Sequence, residues 1–398
     1  MLRDASIVCL SSIDWSFNRQ NPQEVALAFA ESGSRVLFVE NTGVRRAALR
    51  DAPRLWSRFR NWWRAGGGPK RVASGIDVFS PLLLPFPYSR AAVSVNTRLL
   101  VRSVRAWLGD GGGPLIVITF LPTPLARAVI GALRPALVVY YCIDRLAESS
   151  PGAREVVHSE RRLLAEADLV LVTSGVLYET AAEVTSRVEL LASGVRVEQF
   201  ERARRSRAEA HEAFAALPRP VVGYIGSLRN AIDLALLRRA AELAPDLQFV
   251  LAGPRFVDVT TLAARPNVRL LDAIPHEDVA QYMVRFDVGV LPYLINKFTA
   301  GIMPIKLKEY LAAGLPVVAT PLPEVRRFAE QHHGLVRFAD DPAGFVAALR
   351  SAVSDRAPEV LARRIAAARQ YDWSGQMARM NELIEQALAR PSALAGGI

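Results

Sequence analysis

Short apolar runs alternate with longer segments of helical period along almost the whole chain. The first run, "ASIVCLSS", is strand-sized; a helical pattern from about Pro22 to Ser32 follows, then a second run, "RVLFVEN". "GIDVFSP", "LIVITF", "ALVVYY", "ADLVLVTS" and "RVELLAS" continue the series, with helical patterns between several of them. Strands alternating with helices predict an open parallel sheet. The charged stretch "ERARRSRAEAHEAF" interrupts the pattern, and "LPRPVVGYIGS" restarts it. "LQFVLAG", "NVRLLD", "FDVGVLPY", "LPVVAT" and "GLVRF" supply the strands of a second unit. The expected fold is therefore α/β, with two doubly wound, Rossmann-like domains facing a cleft. Residues 1–205 form the first domain and 206–372 the second, and a helix over 373–390 crosses back to the first. Ligands in such sheets bind at the carboxyl ends of the strands.

Composition narrows the class. The 398 residues exceed a single core, and 51% hydrophobic with 22% charged residues describes a globular chain. No apolar run reaches the ~18 residues of a spanning helix, and the polar residues of "MLRDASIVCLSSIDW" break a signal-peptide pattern. Cys9 and Cys142 are too few for a disulfide framework. A cytoplasmic protein is expected. The five histidines lack metal spacing, and "ADDP" at 339–342 precedes a helical pattern as an N-cap would, so no metal is expected.

Charge changes the picture more. The net charge of +10 falls in residues 1–135, which hold 18 Lys/Arg against 8 Asp/Glu. Within residues 45–71 there are nine basic residues and one acid. "RLWSRFRNWWR", residues 54–64, carries three of the six tryptophans. On a helix, Leu55, Trp56, Phe59, Trp62 and Trp63 fall within an arc of about 120°, with Arg54, Arg58 and Arg64 among the residues outside it. That pattern fits an anionic membrane surface, with aromatics at headgroup level and arginines on phosphates. A second basic stretch, "RAAVSVNTRLLVRSVRAW", reads as an amphipathic helix facing the core. No nucleic-acid motif accompanies the basic cluster, so nucleic acid is not expected as a partner.

The most informative passage is "GIMPIKLKEYLAAGLPVVATPLPE", residues 301–324. A loop containing Gly301, Ile302 and Met303 leads into a helix of about Ile305–Ala313, which Gly314 stops. Free amides at a helix N-terminus attract anions, and Lys306 adds a cation in the first turn, where the helix dipole disfavours one. A bound diphosphate accounts for it. Glu309, three residues on, shares the face and reaches toward a ribose diol.

This passage resembles the donor-binding segment of GT-B glycosyltransferases of bacterial surface-polysaccharide synthesis. "DWSFNRQNPQEVALAFAESGSRVLFVEN", "YYCIDRL", "ERRLLAEADLVLVTSGVLYE" and "VVGYIGSLRNAIDLALL" occur in the order found in teichuronic-acid-type glycosyltransferases. The layout is also similar to the membrane-associated xanthan glucuronosyltransferase family. The resemblance implies that Lys306 contacts the diphosphate, Glu309 the ribose, and Tyr293 the nucleotide, UDP by family habit. It departs at two places. Retaining members carry E-x₇-E, whose first glutamate falls at Gly301. After the first strand of the second domain, Ser227 and Ile232 stand where those members have Arg and Lys, with Arg229 as a substitute. These departures shift the expectation to inverting transfer.

Inverting transfer needs a base for the acceptor hydroxyl. Asp144, just past the strand "LVVYYC", has the required placement, which the xanthan-type family also uses; capping a turn or pairing with Arg145 is the structural alternative. Asp14 is the second candidate, with Trp15 as a platform for a sugar face and Arg19 for a phosphate. The expected function is transfer of a sugar from a nucleotide-sugar co-substrate, without a cofactor, to a lipid-linked or glycan acceptor in cell-surface polysaccharide synthesis. The expected place is the inner face of the plasma membrane. A retaining transferase, a nucleotide-sugar epimerase of the same fold and a non-enzymatic binding protein are the alternatives.

Overall fold

The computed structural model describes residues 4–11, 13–16, 20–40, 68–109, 113–148, 155–206, 214 and 217–390. The chain divides into two compact units, Met1–Ala192 with Met377–Ile398, and Ser193–Gln376.

Among the described residues the first unit holds an eight-stranded sheet. Its strands are β1 (Ser6–Leu10), β2 (Arg35–Val39), β3 (Lys70–Ala73), β4 (Ile76–Phe79), β5 (Leu115–Thr119), β6 (Leu137–Cys142), β7 (Leu169–Val172) and β8 (Val188–Leu190). The order is β3-β4-β2-β1-β5-β6-β7-β8. All neighbours run parallel except β3, which pairs antiparallel with β4. β1 and β6 are buried along their whole length, as strands with helices on both faces must be. β3, "KRVA", corrects the all-parallel expectation. It is an exposed edge strand, so it carries no apolar run, and Gly75 at φ +74° makes its turn into β4.

The second unit holds a six-stranded parallel sheet of β9 (Val221–Ile225), β10 (Gln248–Ala252), β11 (Val268–Leu271), β12 (Val288–Leu291), β13 (Val317–Ala319) and β14 (Val336–Phe338). The order β11-β10-β9-β12-β13-β14 reverses direction between β9 and β12, the switch point where doubly wound sheets bind ligands. The corresponding switch in the first sheet lies between β1 and β5.

The division between units falls at 192/193, before the stretch that reads as a linker. Helix Val197–Arg205 sets Val197, Phe200 and Ala203 in the core of the second unit. The Arg204 guanidinium donates to the Ala312 carbonyl there. Charged residues on the outer face of this helix disguise its buried face. Helix Trp373–Leu388 belongs to the first unit from Met377 onward, where it buries Met377, Met380, Leu383 and Ile384.

Helix Ile305–Ala312 is enclosed by its own unit, with every residue from Leu307 to Ala312 buried. Tyr310 lies over Gly289 of β12, where a Cβ would come within 2.5 Å of the ring carbon Cγ. Its hydroxyl donates toward the Gly223 and Val290 carbonyls, at 3.3 and 3.4 Å. Gly314 at φ +80° ends the helix, with the Leu315 amide returning to the Tyr310 carbonyl at 2.8 Å. Gly289→Ala should overpack this contact at a cost of about 1–3 kcal/mol. A denaturant melt indistinguishable from wild type would show that the helix yields freely.

Candidate functional site

The loop leaving β9 is tied on two sides. The Leu228 amide donates to the Pro254 carbonyl (2.9 Å) and the Phe256 amide to the Leu228 carbonyl (2.9 Å). The Asp233 amide donates to the Pro292 carbonyl (2.7 Å) and the Leu294 amide to the Ala231 carbonyl (2.9 Å), joining this loop to the one after β12. Ser227, Arg229 and Tyr293 are thereby held at the carboxyl ends of the two switch-point strands. Ser227 is half-buried, and its carbonyl accepts from the Tyr224 hydroxyl at 3.4 Å. Arg229 is exposed, with its guanidinium carbon 4.1 Å from the Phe256 ring centroid. The Tyr293 amide donates to Thr320 Oγ1 (3.1 Å), which donates back to the Tyr293 carbonyl (2.7 Å). Burial, with Tyr293 and Tyr310 adding to it, holds the Tyr224 phenol well above its ordinary range.

After β12 the chain turns through Asn296–Thr299 into a short 3-10 turn, Thr299–Gly301. Gly301 is buried, while Ile302 and Met303 are half-buried. Pro304 precedes the helix, and no side chain caps its N-terminus. In the first turn Lys306 Nζ lies 3.0 Å from Glu309 Oε2. The two predicted donor residues are therefore brought together, and an anion at this N-terminus would meet Lys306 already held by a carboxylate.

Lys308, which the sequence reading passed over, is the unexpected member of this helix. It is 1% exposed, with Nζ donating to the Ser193 carbonyl at 2.8 Å and lying 4.3 Å from the Tyr371 ring centroid. Burial lowers its pKa from 10.5 to about 7. The legible signal is helical spacing, since Lys308 shares a face with Leu311 and Ala312. The depressed value means that the folded state binds fewer protons than the unfolded chain between about pH 7 and the ordinary lysine range. Stability contributed here therefore rises with pH across that window and is lowest below it. Lys308→Met should gain most relative to wild type below pH 7, with the gap narrowing as pH rises. Parallel stability curves from pH 6 to 9 would contradict this.

In the first unit, Asp14 and Trp15 follow β1 and both are half-buried. The Trp15 amide donates to Glu40 Oε2 (2.6 Å), and its ring meets Phe38 edge-on, centroids 5.0 Å apart. Trp15 is thus packed against Phe38. Glu40, missed in the sequence, is buried past the end of β2 and also accepts from the Ser80 hydroxyl. Its signal is a carboxylate directly after a buried strand, the placement that singles out Asp144. Arg19 lies outside the described residues, as do Arg54, Trp56, Arg58, Phe59, Trp62, Trp63 and Arg64.

Asp144 follows β6 by two residues. Its carbonyl accepts from the Leu146 amide (2.8 Å) and the Cys142 thiol (3.7 Å), which fixes the backbone. Its carboxylate makes no hydrogen bond or ion pair with the described residues, and Arg145 turns instead to Thr180 Oγ1 at 3.3 Å. The Asp144–Arg145 pair, the structural alternative to the base role, is therefore not formed. Asp144 is exposed at its surface yet set among dense protein, and desolvation raises its carboxyl from 3.8 to about 6. An accessible carboxylate without a cation partner and with a raised pKa suits proton transfer near neutral pH.

Among the described residues no three His, Cys, Asp or Glu side chains gather as metal ligands. Asp341 of "ADDP" is a helix N-cap, accepting from the Ala343 and Gly344 amides at 3.0 and 2.9 Å.

Two doubly wound units with these strand-end sites define the GT-B architecture of glycosyltransferases. Residues 219–355, which include Lys306 and Glu309, match the family described as glycosyl transferases group 1. The chain is 29% identical over 257 residues to TuaH of Bacillus subtilis (strain 168), provisionally named a teichuronic acid biosynthesis glycosyltransferase. The match covers 60% of this chain and 64% of TuaH, a little under two thirds of that relative. A sucrose-phosphate synthase from Thermosynechococcus elongatus superposes with a TM-score of 0.72 at 17% identity, covering 97% of this chain and all of that one. HepE of Anabaena, solved with UDP and glucose, superposes with a TM-score of 0.65 at 13% identity over 96% of this chain and 99% of its own. At these identities the solved structures establish the fold.

Proposed function

We propose that the protein transfers a sugar from a nucleotide-sugar donor, with UDP as the nucleotide, to a lipid-linked or glycan acceptor of cell-surface polysaccharide synthesis. The observation that carries this reading is the Lys306–Glu309 pair at an uncapped helix N-terminus inside a group 1 glycosyltransferase domain. The helix amides and Lys306 take the diphosphate, Glu309 the ribose, and Ser227, Arg229, Tyr293 and the loop Gly301–Met303 line the nucleotide. The nucleotide sugar is a co-substrate, and neither a cofactor nor a metal takes part. The UDP complexes of HepE support the choice of nucleotide.

Asp144 takes the proton of the acceptor hydroxyl as its oxygen attacks the anomeric carbon and the nucleoside diphosphate leaves, with inversion. Gly301 in place of a glutamate favours this over retention. Asp14, Trp15 and Arg19 contact the acceptor. No helix among the described residues is long and apolar enough to cross a membrane. Residues 54–64 supply peripheral contact with an anionic membrane, on its inner face.

Lys306→Ala should cost about 2–3 kcal/mol of UDP affinity by removing a charge-assisted contact, and Glu309→Ala should also weaken binding. Calorimetric titration with UDP checks both, and unchanged affinity in the two variants removes the donor assignment.

Asp144→Asn keeps shape but cannot accept the proton. Turnover should fall ~10²–10⁴-fold with UDP affinity retained. Because the base acts deprotonated, wild-type kcat/KM should decline as pH falls through about 6. A product with retained anomeric configuration, or full activity in Asp144→Asn, excludes Asp144 as the base.

A further inference from the structure

The helix Arg90–Leu108 buries the face that its sequence predicts, with Ala92, Asn96, Leu100, Val101 and Val104 against the sheet. Its opposite face is unusual. Val95 is 41% and Leu99 48% exposed, and they share an arc of about 100° with Arg98 and Arg102. Neither arginine has a partner among the described residues. From residue 78 to 109 there are four arginines and no Asp or Glu.

The loop leading into this helix adds a second element. Leu84 is 45% and Phe86 57% exposed. They are not loose. Asn96, itself buried, accepts from the Leu84 amide at 2.9 Å and donates to the Leu84 carbonyl at 3.1 Å. The Ser89 amide closes the turn on the Phe86 carbonyl at 3.1 Å, and Pro85 and Pro87 restrict the backbone on either side. The buried Asn96 amide thus fixes the backbone of Leu84 and the Ser89 amide that of Phe86, while both large apolar side chains stand in solvent against the hydrophobic effect. Such an arrangement marks an interaction surface.

We propose that Leu84, Phe86 and the Val95–Arg102 face of this helix form a lipid-docking surface for an anionic phospholipid bilayer. Apolar side chains enter the headgroup boundary while Arg98 and Arg102 meet lipid phosphates. The complementarity is one of sign: Arg98 and Arg102 fit an anionic sheet, and the exposed apolar side chains beside them fit a soft interface. The proposal rests on the membrane-peripheral reading above but assigns the contact to residues distinct from 54–64.

The test uses the full chain and sedimentation with phosphatidylglycerol–phosphatidylcholine vesicles, beside pure phosphatidylcholine vesicles. Arg98→Gln with Arg102→Gln should weaken binding to the anionic vesicles about 30-fold, roughly fivefold for each charge. Leu84→Ser with Phe86→Ser should weaken it about tenfold or more. Both double variants should keep wild-type melting temperatures and UDP affinity, since all four side chains are exposed and lie outside the donor unit. Wild type that ignores anionic vesicles at low salt removes the membrane reading and this surface together. If binding survives both double variants and is lost only when Trp56, Trp62 and Trp63 are changed to serine, the membrane reading stands and this surface is overturned. Equal binding to neutral vesicles, or conversion of a dimer to monomer by Leu84→Ser with Phe86→Ser, assigns the face to another partner and overturns it as well.

Discussion

The contact between Tyr310 and Gly289 is the constraint on which the second unit turns. An aromatic ring can sit that close to β12 only because no Cβ intervenes, and its position sets the depth of helix Ile305–Ala312. With the rest of the helix buried, only its first turn can meet a ligand. That turn carries Lys306 and amides without a side-chain cap, and Lys306 reaches back to Glu309 at the edge of the buried part. Rigid enclosure matters to the proposed donor site because backbone amides bind an anion only while they point together. Lys308 belongs to the same device. A buried ammonium costs stability that leucine would not. Its bonds to the Ser193 carbonyl and the Tyr371 ring fasten the helix to the two ends of the unit's own chain.

Similar sheet logic serves different chemistry in the first unit. Its strand ends carry carboxylates in contrasting surroundings. Glu40 is buried and spent on hydrogen bonds to the Trp15 amide and the Ser80 hydroxyl, organising the loops after β1 and β4. Asp144 has no such partner among the described residues, and desolvation leaves its carboxyl near 6. Two carboxylates at similar strand-end positions thus differ in their partners, and the one without a partner among the described residues is the proposed base.

Most of the architecture is legible because buried parallel strands are apolar runs, and thirteen of the fourteen assigned strands coincide with such runs. β3 escapes because an exposed edge needs no apolar residues. The division between units is displaced because helix Val197–Arg205 shows its charges in sequence and its buried face only in the fold. Lys306 and Glu309 are legible from spacing, since three residues on a helix bring side chains together. Lys308 is hidden by its type: lysine reads as solvated until the surrounding residues are in place. Leu84 and Phe86 are hidden for the opposite reason, because apolar residues read as core until exposure is known.

Hydrogen exchange of the full chain, with and without saturating UDP, tests the central claim most directly. Slowed exchange is expected in residues 299–309 and the loops after β9 and β12, with the Arg90–Leu108 helix unchanged. Protection absent from residues 299–309, or confined to the first unit, would contradict a donor site at this helix N-terminus.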